Sequence, residues 1–121
     1  MRNTPFAERK IVEYEGYFSE FLSTIGESEA KKIFYVLDML KIQERISEKF
    51  VKYLRDGLYE LRVEYGGNIY RVFFCFDEGR IVILFNVFQK KSQKTPNSQI
   101  ERALNLKREY YESKKSKPNK R

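Results

Sequence analysis

The sequence predicts an α+β fold, in which an antiparallel sheet of an N-terminal strand plus a three-strand meander packs against two N-terminal helices and a C-terminal helix. Three observations predict it. Apolar residues recur at helical spacing in the first third of the chain. The period falls to two after Gly57. A helical pattern then reopens behind Thr95-Pro96.

Residues 9–18 alternate loosely, with Ile11, Glu13, Glu15 and Tyr17 to one side, and predict a strand. Residues 28–45 predict a helix, because Ala30, Ile33, Phe34, Leu37 and Leu40 form one apolar stripe. Phe50, Val51 and Leu54 suggest a second short helix closed by Asp56-Gly57. Residues 58–65, 68–76 and 81–89 then read as strands. Gly66-Gly67 joins the first two as a two-residue hairpin loop, and Asp77-Glu78-Gly79-Arg80 turns between the last two. After the basic loop of residues 90–94, Thr95 caps a final helix, with Pro96 at its first position and Ile100, Ala103, Leu104, Lys107 and Tyr111 on its inner face.

A chain of 121 residues suits one domain, taken as residues 1–112 with a basic tail at 113–121. The apolar share of 41% and aromatic share of 16% are enough to build a core. The first residues lead into charge rather than an apolar signal segment, and no apolar run is long enough to span a bilayer. Cys75 is the single cysteine, so no internal disulfide can form. A cytoplasmic protein is expected. The chain has no histidine, which removes the commonest general base and, with one cysteine, the usual zinc ligand sets. No cofactor is implied.

The formal charge is +7, from 24 Lys and Arg against 17 Asp and Glu. Residues 107–121 hold seven of those cations against Glu109 and Glu112, a net +5, which leaves +2 for the rest. The tail reads as a solvated terminus or as a contact for nucleic acid or an acidic protein.

The hairpin register brings the remaining cations together. With Gly66-Gly67 as the whole loop, Arg62 falls opposite Arg71 on the same face. With a four-residue second turn, Phe76 pairs with Ile81 and Arg71 with Asn86, and Lys90 emerges on that face too. The core face then carries Tyr59, Leu61, Val63, Tyr70, Val72, Phe74, Ile83, Phe85 and Val87. The other face combines the cations with Ile69, Phe73, Val82 and Leu84, an apolar set that a loop, the tail or a partner would cover. Two arginines directly opposed repel unless an anion lies between them. That anion is a phosphate clamped by both guanidiniums, or the carboxylates of Glu60 and Glu64. Lys94, beside the start of the last helix, adds to the same positive region.

Several segments resemble one family. Gly57-Leu58-Tyr59-Glu60-Leu61-Arg62-Val63 is similar to the opening of the sheet in phage-derived, HigB-like toxins of the RelE/ParE superfamily. Tyr70-Arg71-Val72-Phe73-Phe74 resembles their second strand. Phe88-Gln89-Lys90-Lys91-Ser92-Gln93-Lys94-Thr95-Pro96 resembles their basic segment, and Ile100-Glu101-Arg102-Ala103 the helix start that follows. The resemblance implies the toxin of a type II toxin–antitoxin system, held inactive by a cognate antitoxin. It implies, first, cleavage of mRNA on the ribosome; the alternatives are inhibition of DNA gyrase, as in ParE-like members, or a basic binding module without catalytic activity. For cleavage, the RNA's own 2′-hydroxyl would attack the adjacent phosphate without a metal. Arg62, Arg71, Lys90 and Lys91 would then be catalytic, with Asn86 and Lys94 binding RNA. A lysine crowded by cations would serve as base. Several members of the superfamily use a histidine that this chain lacks.

Overall fold

The computed structural model describes residues 6–90 and 94–116. Its element order is β1 (Lys10–Glu13), α1 (Tyr17–Leu22), α2 (Glu27–Ile42), β2 (Val51–Arg55), β3 (Leu58–Tyr65), β4 (Asn68–Asp77), β5 (Ile81–Lys90) and α3 (Asn97–Ser116). The five strands form one sheet in the order β1-β5-β4-β3-β2. The α+β class is as expected, and four features differ from the sequence reading.

First, the segment around Val51 is an edge strand rather than a short helix, paired antiparallel to β3. The reason is local. Asp56 has φ 53° and Gly57 has φ 78°, so this dipeptide is a two-residue hairpin loop with both residues left-handed, not a helix terminus. Tyr53 then packs on Tyr59 across the pair, with ring centroids 5.1 Å apart.

Second, the N-terminal strand stops at Glu13, and the chain turns at Glu15 (φ 59°) and Gly16 (φ 77°) into α1. Glu13 holds that helix start by accepting from the Ser19 amide (2.8 Å) and hydroxyl (2.6 Å). Third, β1 runs parallel to β5, so the sheet is mixed rather than antiparallel throughout.

Fourth, the helices cover both faces of the sheet. On one face Phe18 of α1 and Ile33, Val36, Leu37 and Leu40 of α2 bury Leu61, Val63, Tyr70, Val72, Phe74, Val82 and Leu84. On the other, Ala103 and Leu106 of α3 bury Leu58, Phe73, Cys75, Ile83 and Phe85. Each of the Val, Leu, Ile and Phe side chains among them contributes about 1.5–3 kcal/mol when removed from water. Three of the four apolar residues expected on the cation-bearing face are covered within the chain. Phe73 lies under α3, while Val82 and Leu84 belong to the opposite face.

That exchange of faces comes from the last hairpin. Asp77 pairs with Ile81, leaving a three-residue turn in place of four, and the one-residue slip swaps Ile83 and Phe85 with Val82 and Leu84. Further along, Val72 pairs with Val87 but Phe74 with Leu84, so Phe85 and Asn86 together face Phe73 in a β-bulge. Beyond the bulge Arg71 lies opposite Phe88, not Asn86.

Both ends of α3 are tied to the sheet. Near its C-terminus Asp77 accepts from Tyr110 (2.5 Å) and Lys114 (2.6 Å). The helix thus continues through Ser116, past the point where the basic tail was expected to begin, with Lys114 engaged. Among the described residues no helix is long and apolar enough to cross a membrane.

Candidate functional site

The expected hairpin register holds where it matters most: Arg62 pairs directly with Arg71 across β3 and β4. The anion between them is Glu60. Its Oε2 pairs with the Arg62 Nε and lies 3.5 Å from the Arg71 Nε. Its Oε1 accepts from the Thr95 hydroxyl at 2.7 Å. Thr95 was expected to cap α3, yet its hydroxyl is turned to Glu60, and Pro96 supplies the carbonyl that receives the Gln99 amide (3.1 Å).

Burial separates the two arginines. Arg71 and Glu60 are both fully buried (0% exposed), whereas the Arg62 side chain keeps 21% of its surface. Burial lowers the Arg71 guanidinium below arginine's ordinary value; Glu60 opposes that shift and Arg62 adds to it. Arg71 was expected on the phosphate. Its depth instead puts it behind Glu60, where it fixes the carboxylate that aims Arg62.

Arg62 opens into a cleft of about 360 Å³ lined by Lys52, Leu54, Glu60, Lys94, Thr95 and Ile100. Lys52 stands opposite Glu60 in the β2–β3 pairing, so the edge strand supplies one cationic wall. Lys94 and the first turn of α3 supply the other. Three cations and a helix N-terminus thus border a floor whose single carboxylate is occupied by hydrogen bonds. The cleft has the chemistry to hold a phosphodiester and to stabilise extra charge on its oxygens.

The remaining expected residues distribute as follows. Lys90 is exposed at the end of β5 and pairs with Ile69, on the face that carries Arg62, but it does not line the cleft. Lys91 lies outside the described residues. Asn86 is buried in the bulge of β5, away from Arg71, and lines a different cavity with Tyr17, Glu20, Phe21, Thr24, Val87 and Arg102. Lys52 is the cleft residue that the helical reading of its segment concealed. The signal that finds it is Asp56-Gly57, which as a hairpin turn places Lys52 across from Glu60.

The model of the family described as phage-derived protein Gp49-like (DUF891) matches residues 20–108. No curated protein matches the chain. The matched span takes in α2, all the cleft residues and most of α3, and the chain belongs to that family.

Proposed function

We propose that this Gp49-like chain is a RelE/ParE-like toxin of a type II toxin–antitoxin system, and that it cleaves mRNA on the ribosome. The observation that carries the reading is the arrangement around Glu60: a buried carboxylate, itself saturated, holds Arg62 at the mouth of a cleft walled by Lys52 and Lys94.

The reaction that suits these residues is transesterification within the RNA. The 2′-oxygen forms a bond to the adjacent phosphorus, the P–O5′ bond breaks, and the products carry a 2′,3′-cyclic phosphate and a 5′-hydroxyl. The proton of the 2′-hydroxyl passes to a base, and the departing 5′-oxygen gains one from an acid. Arg62 binds a non-bridging oxygen and opposes the charge that builds on the phosphorane, as charged donors do at developing oxyanions. Lys52 and Lys94 hold the flanking backbone, and Lys90 extends the positive path. Arg71 acts through Glu60 as a positioning residue. A cognate antitoxin that covers the cleft with acidic side chains would silence the toxin.

The test is to induce the chain alone in a bacterial host and map mRNA 5′ ends within minutes, beside Arg62→Ala. New 5′ ends inside coding regions are expected, and they should fall by about 10²–10³-fold in the variant. Growth arrest with intact mRNA and a DNA-damage response would transfer the proposal to gyrase.

A further inference from the structure

The C-terminal segment carries most of the net charge of the chain, and none of its residues lines the cleft. Residues 107–121 hold seven cations against Glu109 and Glu112. The fold sorts them. Lys114 turns to Asp77. Lys107, Arg108 and Lys115 instead line a groove of about 510 Å³, between the Asp56-Gly57 turn and one stripe of α3. Lys117, Lys120 and Arg121 follow in the sequence, outside the described residues.

This groove continues the cleft. Leu54 of β2 and Ile100 of α3 line the cleft, and the next residue of each element, Arg55 and Glu101, lines the groove. From Glu101 to Lys115 its α3 lining advances in steps of three and four residues, so a single face of the helix forms its length. At the junction Arg55 bridges Asp56 (2.9 Å) and Glu101, so both carboxylates there are already met by a cation. Among the lining residues beyond it, three cations stand against Glu112. Arg108 and Lys115 are exposed and Lys107 is half-buried, so all three reach solvent. The Lys107 ammonium lies over the Tyr111 ring, 5.3 Å from its centre. Its stem rests against the turn, where a β-carbon on Gly57 would lie 3.4 Å from the lysine Cε. Arg108 uses one of its five donors on Asn105, at 2.7 Å.

We infer that this groove follows the sugar–phosphate backbone of the RNA strand whose scissile phosphate lies at Arg62, and the inference rests on that reading of the cleft. The basic segment is then a substrate-binding surface and not a solvated end. Lysine and arginine on a nucleic-acid backbone release condensed counterions, which gives affinity without reading the bases. A track of this kind beside the cleft grips many sequences and aligns one phosphate for reaction. From Ile100 to Lys115 the helix rises about 22 Å, at ~1.5 Å per residue. A stacked strand advances ~3.4 Å per nucleotide, so the track takes about six nucleotides beyond the cleft.

The experiment is fluorescence anisotropy of the purified chain with labelled 2′-O-methyl RNA, which cannot be cut by its own 2′-oxygen. Strands of about four and about twelve nucleotides separate the cleft from the track. The triple variant Lys107→Gln, Arg108→Gln, Lys115→Gln keeps helix-forming side chains with aliphatic stems. It should weaken the longer strand about tenfold and leave the shorter one unchanged, and the dependence of log Kd on log salt should flatten by about 2, at ~0.7 per lost phosphate contact. Lys10→Gln, Lys31→Gln, Lys41→Gln removes the same charge from exposed positions on β1 and α2, and should change the longer strand less than about threefold. Glu112→Gln should tighten the longer strand. A groove variant with the wild-type affinity and salt slope overturns the inference, and so does a control variant that loses as much. A groove that takes a labelled glutamate-rich peptide but no RNA overturns it in favour of a protein partner. If Arg62→Ala abolishes the new mRNA 5′ ends while the groove variant binds and cuts as wild type does, the track fails and the nuclease stands. If the groove variant loses RNA in a chain that leaves mRNA intact, the nuclease fails and an RNA-binding surface remains.

Discussion

The two ends of α3 are each tied down by a buried carboxylate, and the two ties are built for different purposes. At the C-terminal end Asp77 receives one neutral hydroxyl and one ammonium, so charge is balanced locally and little is left to bind anything else. At the N-terminal end Glu60 receives Thr95 and two guanidiniums, which leaves one positive charge in surplus before Lys52 and Lys94 are added. A helix needs only one such anchor of the first kind at each end. The excess at Glu60 is what a site for an anion requires, and what a purely structural contact would avoid, since opposed like charges destabilise a sheet.

Removing Glu60 should break the comparison most severely. Glu60→Ala leaves Arg71 buried with its main counter-charge gone, and should cost about 3–5 kcal/mol in urea unfolding. Adding Arg71→Met should recover much of that loss, because the stranded charge is then absent.

Asp77→Asn comes next, at about 2 kcal/mol, the range for hydrogen bonds to a charged group, with the Lys114 arm discounted because that side chain is 40% exposed. Its pH dependence is specific. Burial alone raises the Asp77 carboxyl, but the hydrogen bonds from Lys114 and Tyr110 outweigh it and hold it below the usual value. A depressed carboxyl stabilises fully above its unfolded value of ~3.9, and loses that contribution as pH falls through the folded value. Lys114 is raised, chiefly by its bond to Asp77, so its share is complete below ~10.4 and fades as pH rises past that. The stability gap between wild type and Asp77→Asn should therefore be flat from about pH 5 to 9 and narrow at both extremes. A gap that widened in acid would exclude this account.

Arg62→Ala should be milder still in stability, about 1.5 kcal/mol, because Glu60 keeps Arg71 and Thr95. Its large effect is reserved for RNA cleavage. A variant that lost fold and cleavage together would make the two ends of α3 alike.

The smallest effect concerns Cys75, beneath the C-terminal end. Burial pushes its thiol up to about 11, against the weaker pull of Tyr111 and Lys107. Almost no thiolate is present at pH 8, so labelling by a disulfide reagent should be slowed about a hundredfold or more relative to the unfolded chain. Cys75 labelling should accelerate in Asp77→Asn if the C-terminal end of α3 loosens.

Much of this was legible in the residues. Gly66-Gly67 specified its hairpin and with it the Arg62–Arg71 pairing, because two consecutive left-handed residues make a two-residue loop. Asp56-Gly57 carried the same signal, yet Phe50, Val51 and Leu54 fit a helix stripe equally well over so short a run, and Lys52 was hidden as a result. The swap of Ile83 and Phe85 with Val82 and Leu84 was not legible. β5 is apolar on both sides, so its pattern does not distinguish one register from the next.

The sequence by itself determined the α+β class, the hairpin that opposes two arginines, and a chemistry limited to lysine, arginine, tyrosine and carboxylates, since each follows from local residue identity. Only the tertiary structure decided which arginine meets solvent, which edge supplies Lys52, and that Asn86 is buried away from Arg71. Those depend on α3 lying across the second face, on the turn closing one residue short, and on a bulge in β5. Each is settled by how distant segments share burial, and no local pattern records that.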